Sequence, residues 1–396
     1  MKITKRAANV SPSLTLAITA KAAKMKKEGI DLVSFGAGEP DFDTPAFVAE
    51  AAKQAIDKGI TRYTDASGTP ELRKAIAAYL ARTQNLNYDF SQIIVSNGAK
   101  HSLYNAIAAV VEDGAEVILP SPYWLTYPEL VKMCDGVPVV VDTSSSDYKI
   151  TPDQLKKAIT SKTRAIVINN PNNPSGVVYT KDEIFALAAE LENHPDIVII
   201  SDEIYDELSY EDRPVSIACF SEKIKERTIL INGLSKSYAM TGWRIGYSAS
   251  NLPLAKAMGS MQSHATSNPN SVAQYASVVA LTDPRGDEFL AKMNMVFKAR
   301  RDLMAKILRD AGMKIVKPQG AFYVMIDVSE FFGKKYKDCT IDGAQCLAEL
   351  LLDEAKVAVI PLESFGADNF IRLSYATSDE LIKKGIQRIV DFLKKL

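Results

Sequence analysis

The sequence predicts an α/β protein with a mostly parallel sheet flanked by helices in a large domain, plus a smaller α+β domain. Three observations carry that expectation. Short β-branched apolar runs alternate with helical patterns through the middle of the 396-residue chain. Those runs are apolar throughout, as strands covered on both faces are. After about residue 285 the alternation gives way to one long helix pattern and a cluster of strand-like segments.

Ile93-Ile94-Val95 opens the series and leads through Asn97-Gly98 into a helix pattern marked by Leu103, Ile107 and Val110. Val117-Ile118-Leu119 closes on Pro120-Ser121-Pro122, and Val139-Val140-Val141, entered through Pro138, closes on Asp142. Ala165-Ile166-Val167-Ile168 closes on Asn169-Asn170-Pro171, residues 197–200 on Ser201-Asp202, and Ile229-Leu230-Ile231 on Asn232-Gly233. The intervening helices supply the crossovers that parallel strands need. Ligands gather beyond the carboxyl ends of such strands, so the residues closing these runs are the first functional candidates. Beyond them, a helix pattern over 288–311 precedes strand-like segments at 322–326, 357–360 and 370–374 and a final helix. No internal repeat, low-complexity tract or flexible linker interrupts the chain.

Composition narrows the function. At 47% apolar and 24% charged residues the chain can build an ordinary globular core. A net charge of -1 predicts no nucleic-acid and no membrane partner, and the basic clusters at 21–27 and 334–337 read as solvated faces. No apolar run reaches membrane-spanning length. Lys2, Lys5 and Arg6 ahead of residues 14–20 have the outline of a secretory signal. Threonines break that stretch and it runs into a lysine-rich helix pattern, so we read an N-terminal arm. Cys134, Cys219, Cys339 and Cys346, with three histidines and no CxxC, predict no metal site and fit free thiols in a reducing cytoplasm.

The chemistry concentrates in residues 233–246, Gly-Leu-Ser-Lys-Ser-Tyr-Ala-Met-Thr-Gly-Trp-Arg-Ile-Gly. Lys236 offers an amine nucleophile, which burial or a neighbouring cation activates toward aldehydes. Ser235 precedes it, and Arg244 adds a fork-shaped cation suited to a phosphate. An aldehyde and a phosphate on one molecule describe pyridoxal phosphate. Ser96-Asn97-Gly98-Ala99-Lys100 is a strand-to-helix turn, whose free N–H groups form a phosphate cup. Asp202 follows a buried strand, where a helix N-cap is the ordinary alternative, and Tyr205 lies three residues on, at the spacing of one helical face. Asn170-Pro171-Asn172-Asn173-Pro174-Ser175-Gly176 is a stiff loop. Arg372 shares a strand face with Phe370 and Ser374 and needs an anion, either a substrate carboxylate or an internal partner.

Taken in order, these motifs resemble class I aminotransferases of the pyridoxal-phosphate-dependent transferase fold type I, and most nearly their bacterial aspartate aminotransferase branch. The resemblance spans the chain from Gly38 to Arg372. It implies that Lys236 is catalytic and carries the cofactor, and that Asp202 pairs with its ring nitrogen. Tyr205 and Asn173 are then partners of the ring's phenolic oxygen, and Trp124, in Pro122-Tyr123-Trp124, stacks on the ring. Gly98, Ala99 and Lys100 form the phosphate cup with Ser235 and Arg244. Tyr63, in Arg62-Tyr63-Thr64, reaches the neighbouring subunit's phosphate, which implies a homodimer with shared active sites. Arg372 binds the substrate α-carboxylate, with Asn173, Trp124 and the Gly38 loop beside it; Gly320-Ala321-Phe322-Tyr323 is a further match.

The implied domains are 1–45 as arm and part of the small domain, 46–285 as the large cofactor-binding domain, and 286–396 as the small C-terminal domain. The implied reaction is ping-pong transamination between an amino acid and a 2-oxo acid. Aspartate with 2-oxoglutarate is favoured over aromatic, alanine or kynurenine donors and over lyases of the same fold. Relatives that accept prephenate carry a lysine just before Pro-Ser-x-Thr, where this chain has Ser11 ahead of Pro12-Ser13-Leu14-Thr15. Leu362 occupies a loop position where glycine is common in the family. A cofactor-sensing regulator would need a DNA-binding segment larger than the ~35 residues ahead of Gly38.

Overall fold

The structure, a computed structural model, describes residues 3–11 and 14–396. Its centre is a seven-stranded sheet built from β1 (Ile93–Ser96), β2 (Glu116–Ser121), β3 (Val137–Asp142), β4 (Thr163–Asn169), β5 (Val198–Asp202), β6 (Thr228–Gly233) and β7 (Gly246–Ala249). The order across the sheet is β1-β7-β6-β5-β4-β2-β3. Strands β2 to β6 pair in parallel, while β7 runs antiparallel to both β1 and β6. Six of these strands fall on the apolar runs of the sequence. The seventh, Gly-Tyr-Ser-Ala, has no β-branched residue, and its buried neighbours rather than its own pattern make it a strand.

Helices cover the sheet and complete its core. Leu103 and Ile107 of the helix Ala99–Val110 pack with Val117, Leu119 and Val167 from β2 and β4. Each such fully buried aliphatic side chain contributes roughly 1.5–3 kcal/mol. The edge strand β3 departs from the expectation of strands covered on both faces, with Val137 and Val140 nearly half exposed. Pro138 is tolerated there because an edge strand leaves N–H positions outside the ladder.

A four-stranded antiparallel sheet follows: β8 (Lys314–Ile315), β9 (Tyr323–Asp327), β10 (Ile360–Pro361) and β11 (Phe370–Ser374), in the order β10-β11-β9-β8. Arg372 sits mid-sheet, opposite Met325 on one side and Ile360 on the other. The 357–360 run divides, because Val357–Ala358 pairs in parallel with Val33–Ser34 while Ile360 joins β11. The long helix begins three residues earlier than its pattern, at Arg285, and ends at Asp310. The last helix, Asp379–Leu393, is capped by the Ser378 hydroxyl, which accepts from the Leu381 N–H.

Candidate active site

The carboxyl ends of the parallel strands and the buried end of β11 meet at a cleft of about 280 Å³. Gly38, Ala99, Lys100, Trp124, Asn173, Asp202, Tyr205, Ser235, Lys236, Arg244 and Arg372 all line it, so the strand-closing motifs converge as the topology requires. Gly98 lies directly behind the wall, and Tyr63 is away from this cleft, 90% exposed on the surface.

Lys236 follows β6 on one short helical turn, and its Nζ donates to the Gly38 carbonyl at 2.5 Å. Burial lowers its pKa to about 8; Glu39 and Asp202 oppose that fall, while Arg244 and Arg372 add to it. A substantial fraction of the amine is therefore neutral and nucleophilic near pH 8. Asp202, at the end of β5, is buried, which raises its pKa to about 6. The Tyr127 hydroxyl donates to its Oδ2 at 2.6 Å and the Ile204 N–H to its Oδ1 at 3.2 Å; both bonds favour the charged form. The residues after Asp202 form a turn rather than the helix expected for an N-cap, so Tyr205 reaches the cleft from a turn. The Tyr205 hydroxyl lies 3.0 Å from that of Tyr323.

The strand-to-helix turn is built as expected. Gly98 occupies the N-cap of the 12-residue helix Ala99–Val110 with no side chain capping it, which leaves first-turn N–H groups for an anion. Its φ of 87° suits glycine, and a Cβ there would run into Arg244 Nη2. Arg244 reaches across from the Lys236 segment, donating to the Thr241 carbonyl at 2.7 Å and the Asn97 carbonyl at 3.4 Å. The Lys100 ammonium lies 4.7 Å from the centre of the Trp124 ring.

Arg372 is the most unusual group. It is 2% exposed, and no carboxylate pairs with it among the described residues, so the internal-partner alternative fails. Nη1 donates to Asn173 Oδ1 at 2.8 Å, while Nε and Nη2 have no partner. The guanidinium lies 4.2 Å from the centre of the Tyr323 ring, and burial lowers its pKa. A buried cation whose Nε and Nη2 have no partner among the described residues can take an anion in its fork. Asn173 is itself set by Asn169, whose Oδ1 accepts from the Asn173 N–H at 2.8 Å.

Sequence reasoning gave no role to Tyr127, Asn169, Thr241 or Tyr323. Tyr323 appeared only within a matching motif and Asn169 only as a strand-closing residue, while Tyr127 and Thr241 carry no local pattern that separates them from core or turn residues. Pro12 and Ser13 of the arm motif lie outside the described residues; the Ser11 N–H donates to Glu129 Oε2 at 2.9 Å. Leu362 is fully buried with Met325, Ile360 and Phe365. All four cysteines are free thiols. Among the described residues there is no cluster suited to a metal ion, and no helix is long and apolar enough to cross a membrane.

An amine, a glycine turn at a helix N-terminus with Arg244 against it, a buried carboxylate and an arginine without an ion pair among the described residues fit pyridoxal phosphate and an α-carboxylate. The fold and this donor set define a lysine-dependent enzyme of fold type I.

Comparisons with known proteins narrow the class. Residues 30–389 match the family described as aminotransferase class I and II. The chain is 46% identical to the aspartate aminotransferase of Bacillus subtilis (strain 168), over 100% of both chains. The solved aspartate aminotransferase of Rhizobium meliloti superposes with a TM-score of 0.94 at 41% identity, covering 99% of this chain and 98% of that one. The Thermus thermophilus enzyme solved with maleate gives 0.93 at 40% identity, covering 99% of each. The chain belongs to the class I and II aminotransferase family and is a pyridoxal-phosphate-dependent aminotransferase.

Proposed function

We propose that this enzyme moves the amino group of L-aspartate to 2-oxoglutarate by a ping-pong transamination. The observation that carries the reading is Arg372, a buried cation that keeps Nε and Nη2 free at the cleft. The names of the Bacillus, Rhizobium and Thermus relatives support the same donor.

The residues divide the work as follows. Pyridoxal phosphate, when bound, supplies the aldehyde that captures the amino group and a ring that withdraws electrons from the substrate Cα. Lys236 would hold the cofactor and would take and return the Cα proton at Nζ, a transfer suited to an amine titrating near 8. Asp202 would meet the ring nitrogen with its carboxylate, held by the Tyr127 hydroxyl and the Ile204 N–H. Asn173 and Tyr205 would donate to the ring's phenolic oxygen, and Trp124 would cover the ring face. The Gly98-Ala99-Lys100 turn, Ser235 and Arg244 hold the phosphate. Arg372, with Asn173 and the Gly38 loop, grips the α-carboxylate and so orients the Cα–H bond.

Tyr63 belongs to the same reading. Its ring is 90% exposed in the single chain, as a residue completing a partner's phosphate site would be, and we take the enzyme as a homodimer with shared sites. The domain division at 45/46 and 285/286 and a cytoplasmic location complete it. Titrating the cofactor-loaded enzyme with L-aspartate, without an oxo acid, tests the donor. Release of oxaloacetate with a shift of the cofactor's absorption to that of pyridoxamine phosphate is expected. An unchanged spectrum with aspartate and a shift with an aromatic amino acid would overturn aspartate while leaving transamination intact.

A further inference from the structure

Tyr127 lies in the first turn of the helix Thr126–Met133, three residues after Trp124, and its side chain is fully enclosed. Its hydroxyl donates to Asp202 Oδ2 at 2.6 Å. Its ring meets Trp124 edge to face, with centroids 5.7 Å apart and planes at 89°. One side chain therefore touches both the carboxylate beneath the cleft and the aromatic wall beside it. We propose that Tyr127 is a positioning residue that holds Asp202 and Trp124 in one fixed setting, so that ring nitrogen and ring face are met together. The inference rests on the roles given above to Asp202 and Trp124.

The physical argument has two arms. A carboxylate in a dry site keeps its charge only if hydrogen bonds replace the lost water. Asp202 has two such donors, and only the Tyr127 hydroxyl comes from outside its own turn. Lys236 and Tyr205 are the titratable groups facing it, with Arg244, Arg372 and Glu39 grouped around Lys236 beyond. Lys236 favours the Asp202 charge, and the Tyr205 phenol stays neutral because burial lifts its pKa well above the ordinary range. Nothing else on that side replaces the hydroxyl. The second arm is geometric. An edge-to-face contact fixes an indole plane, because the ring edge is positive and the ring face negative.

Tyr127→Phe separates the hydroxyl from the ring. The apoprotein of this variant should unfold within a few degrees of wild type and bind pyridoxal phosphate about tenfold more weakly by equilibrium dialysis, about the worth of one charge-assisted hydrogen bond. The ascending acid limb of its kcat/KM profile should move up by about one pH unit, because losing the donor makes Asp202 easier to protonate. Tyr127→Leu, which lacks the ring as well, should bind the cofactor more weakly again. A Phe variant with normal affinity and an unmoved acid limb would overturn the inference, as would weaker affinity with an unmoved limb, the mark of a structural role. Asp202→Asn is the control for the underlying reading. If that variant too keeps normal affinity and limb, the role of Asp202 itself falls.

Discussion

Replacing Arg372 by methionine separates a substrate-binding arginine from a structural one, because the first role predicts little change in stability and the second a large loss. The buried guanidinium makes one side-chain hydrogen bond, Nη1 to Asn173 Oδ1 at 2.8 Å, and no ion pair among the described residues. Removing it relieves the desolvation of an uncompensated charge, which is several kcal/mol per buried ion. Against that, the orphaned Asn173 Oδ1 costs about 1–3 kcal/mol, and the lost packing of the cation on Tyr323 about 2 kcal/mol. These opposing effects nearly cancel, so the urea midpoint of the cofactor-free variant should stay close to that of wild type. Catalysis should collapse instead. A fork on a carboxylate makes two charge-assisted hydrogen bonds at roughly 1.5–3 kcal/mol each. Their loss lowers kcat/KM by about 10²–10⁴ at ~1.4 kcal/mol per tenfold. Affinity for maleate as a dicarboxylate probe should fall in parallel. Had the arginine served an internal salt bridge, its removal would cost about 3–5 kcal/mol of stability. A variant strongly destabilised yet normal in kcat/KM would refute the reasoning.

Lys236→Ala should abolish turnover while leaving the fold intact, and turnover retained by that variant would remove Lys236 from the chemistry. In the wild-type apoprotein an amine-selective reagent should label Lys236 with a midpoint near pH 8, against 10.5 for an ordinary lysine; a midpoint near 10.5 would contradict the burial argument. Asp202→Asn should stabilise the apoprotein in a pH-dependent way. The carboxyl titrates near 6 when folded and near 3.8 when unfolded, so between those values the folded state binds more protons and loses stability as pH rises. The advantage of the asparagine variant should therefore be absent below about pH 4, grow through that window and level off above about pH 6; an advantage independent of pH would count against it. Gly98→Ala puts a Cβ against Arg244 Nη2 at a φ of 87°, so Arg244 must leave the cup. Cofactor affinity should fall about tenfold or more, the worth of one charge-assisted hydrogen bond, and dialysis showing normal affinity would mean that Arg244 does not hold the phosphate.

What could be read from the sequence, and what could not, follows from the range of the forces involved. Six strands of the large sheet were legible from their apolar runs: burial demands such runs in β4, β5 and β6, which are buried almost throughout, while the half-exposed edge strand β3 was legible from its β-branched residues alone. Strand β7 was not, since Gly246 and Ser248 are selected by what lies against them: a Cβ at Gly246 would collide with the Ala99 backbone. Lys236, Asp202 and Arg372 stood out as candidates because a charged residue beside or within an apolar strand needs a partner, and the fold gathers all three at one cleft. Tyr127 was hidden for the converse reason. A tyrosine on an apolar helix face is ordinary core, and only the fold places its hydroxyl on a carboxylate 75 positions away. The turn after Asp202 also departed from the helix its spacing suggested, because Asp202 Oδ1 bonds the Ile204 N–H and closes a tighter loop.

Burial opposes the charges of Lys236, Asp202 and Arg372 in the cleft, and the directions of their shifts are informative together. Burial lowers the pKa of Lys236 and of Arg372 and raises that of Asp202, so each charge is less stable in this site than in water. No carboxylate neutralises Arg372 among the described residues, and Lys236 adds less to the Asp202 charge than the bonds from Tyr127 and Ile204 do. A site built this way is destabilising until its ligands arrive, which is the expected relation between stability and function at a binding cleft. The complementary charges are those of the proposed ligands: a protonated ring nitrogen for Asp202, an aldehyde for the neutral Lys236 amine, a carboxylate for Arg372. Ligands that bind only the folded state raise stability by mass action. Cofactor and carboxylate should then stabilise the enzyme in separate increments, the first lost in Asp202→Asn and the second in Arg372→Met. The order of those losses distinguishes a cleft organised around two ligands from one organised around a single large one.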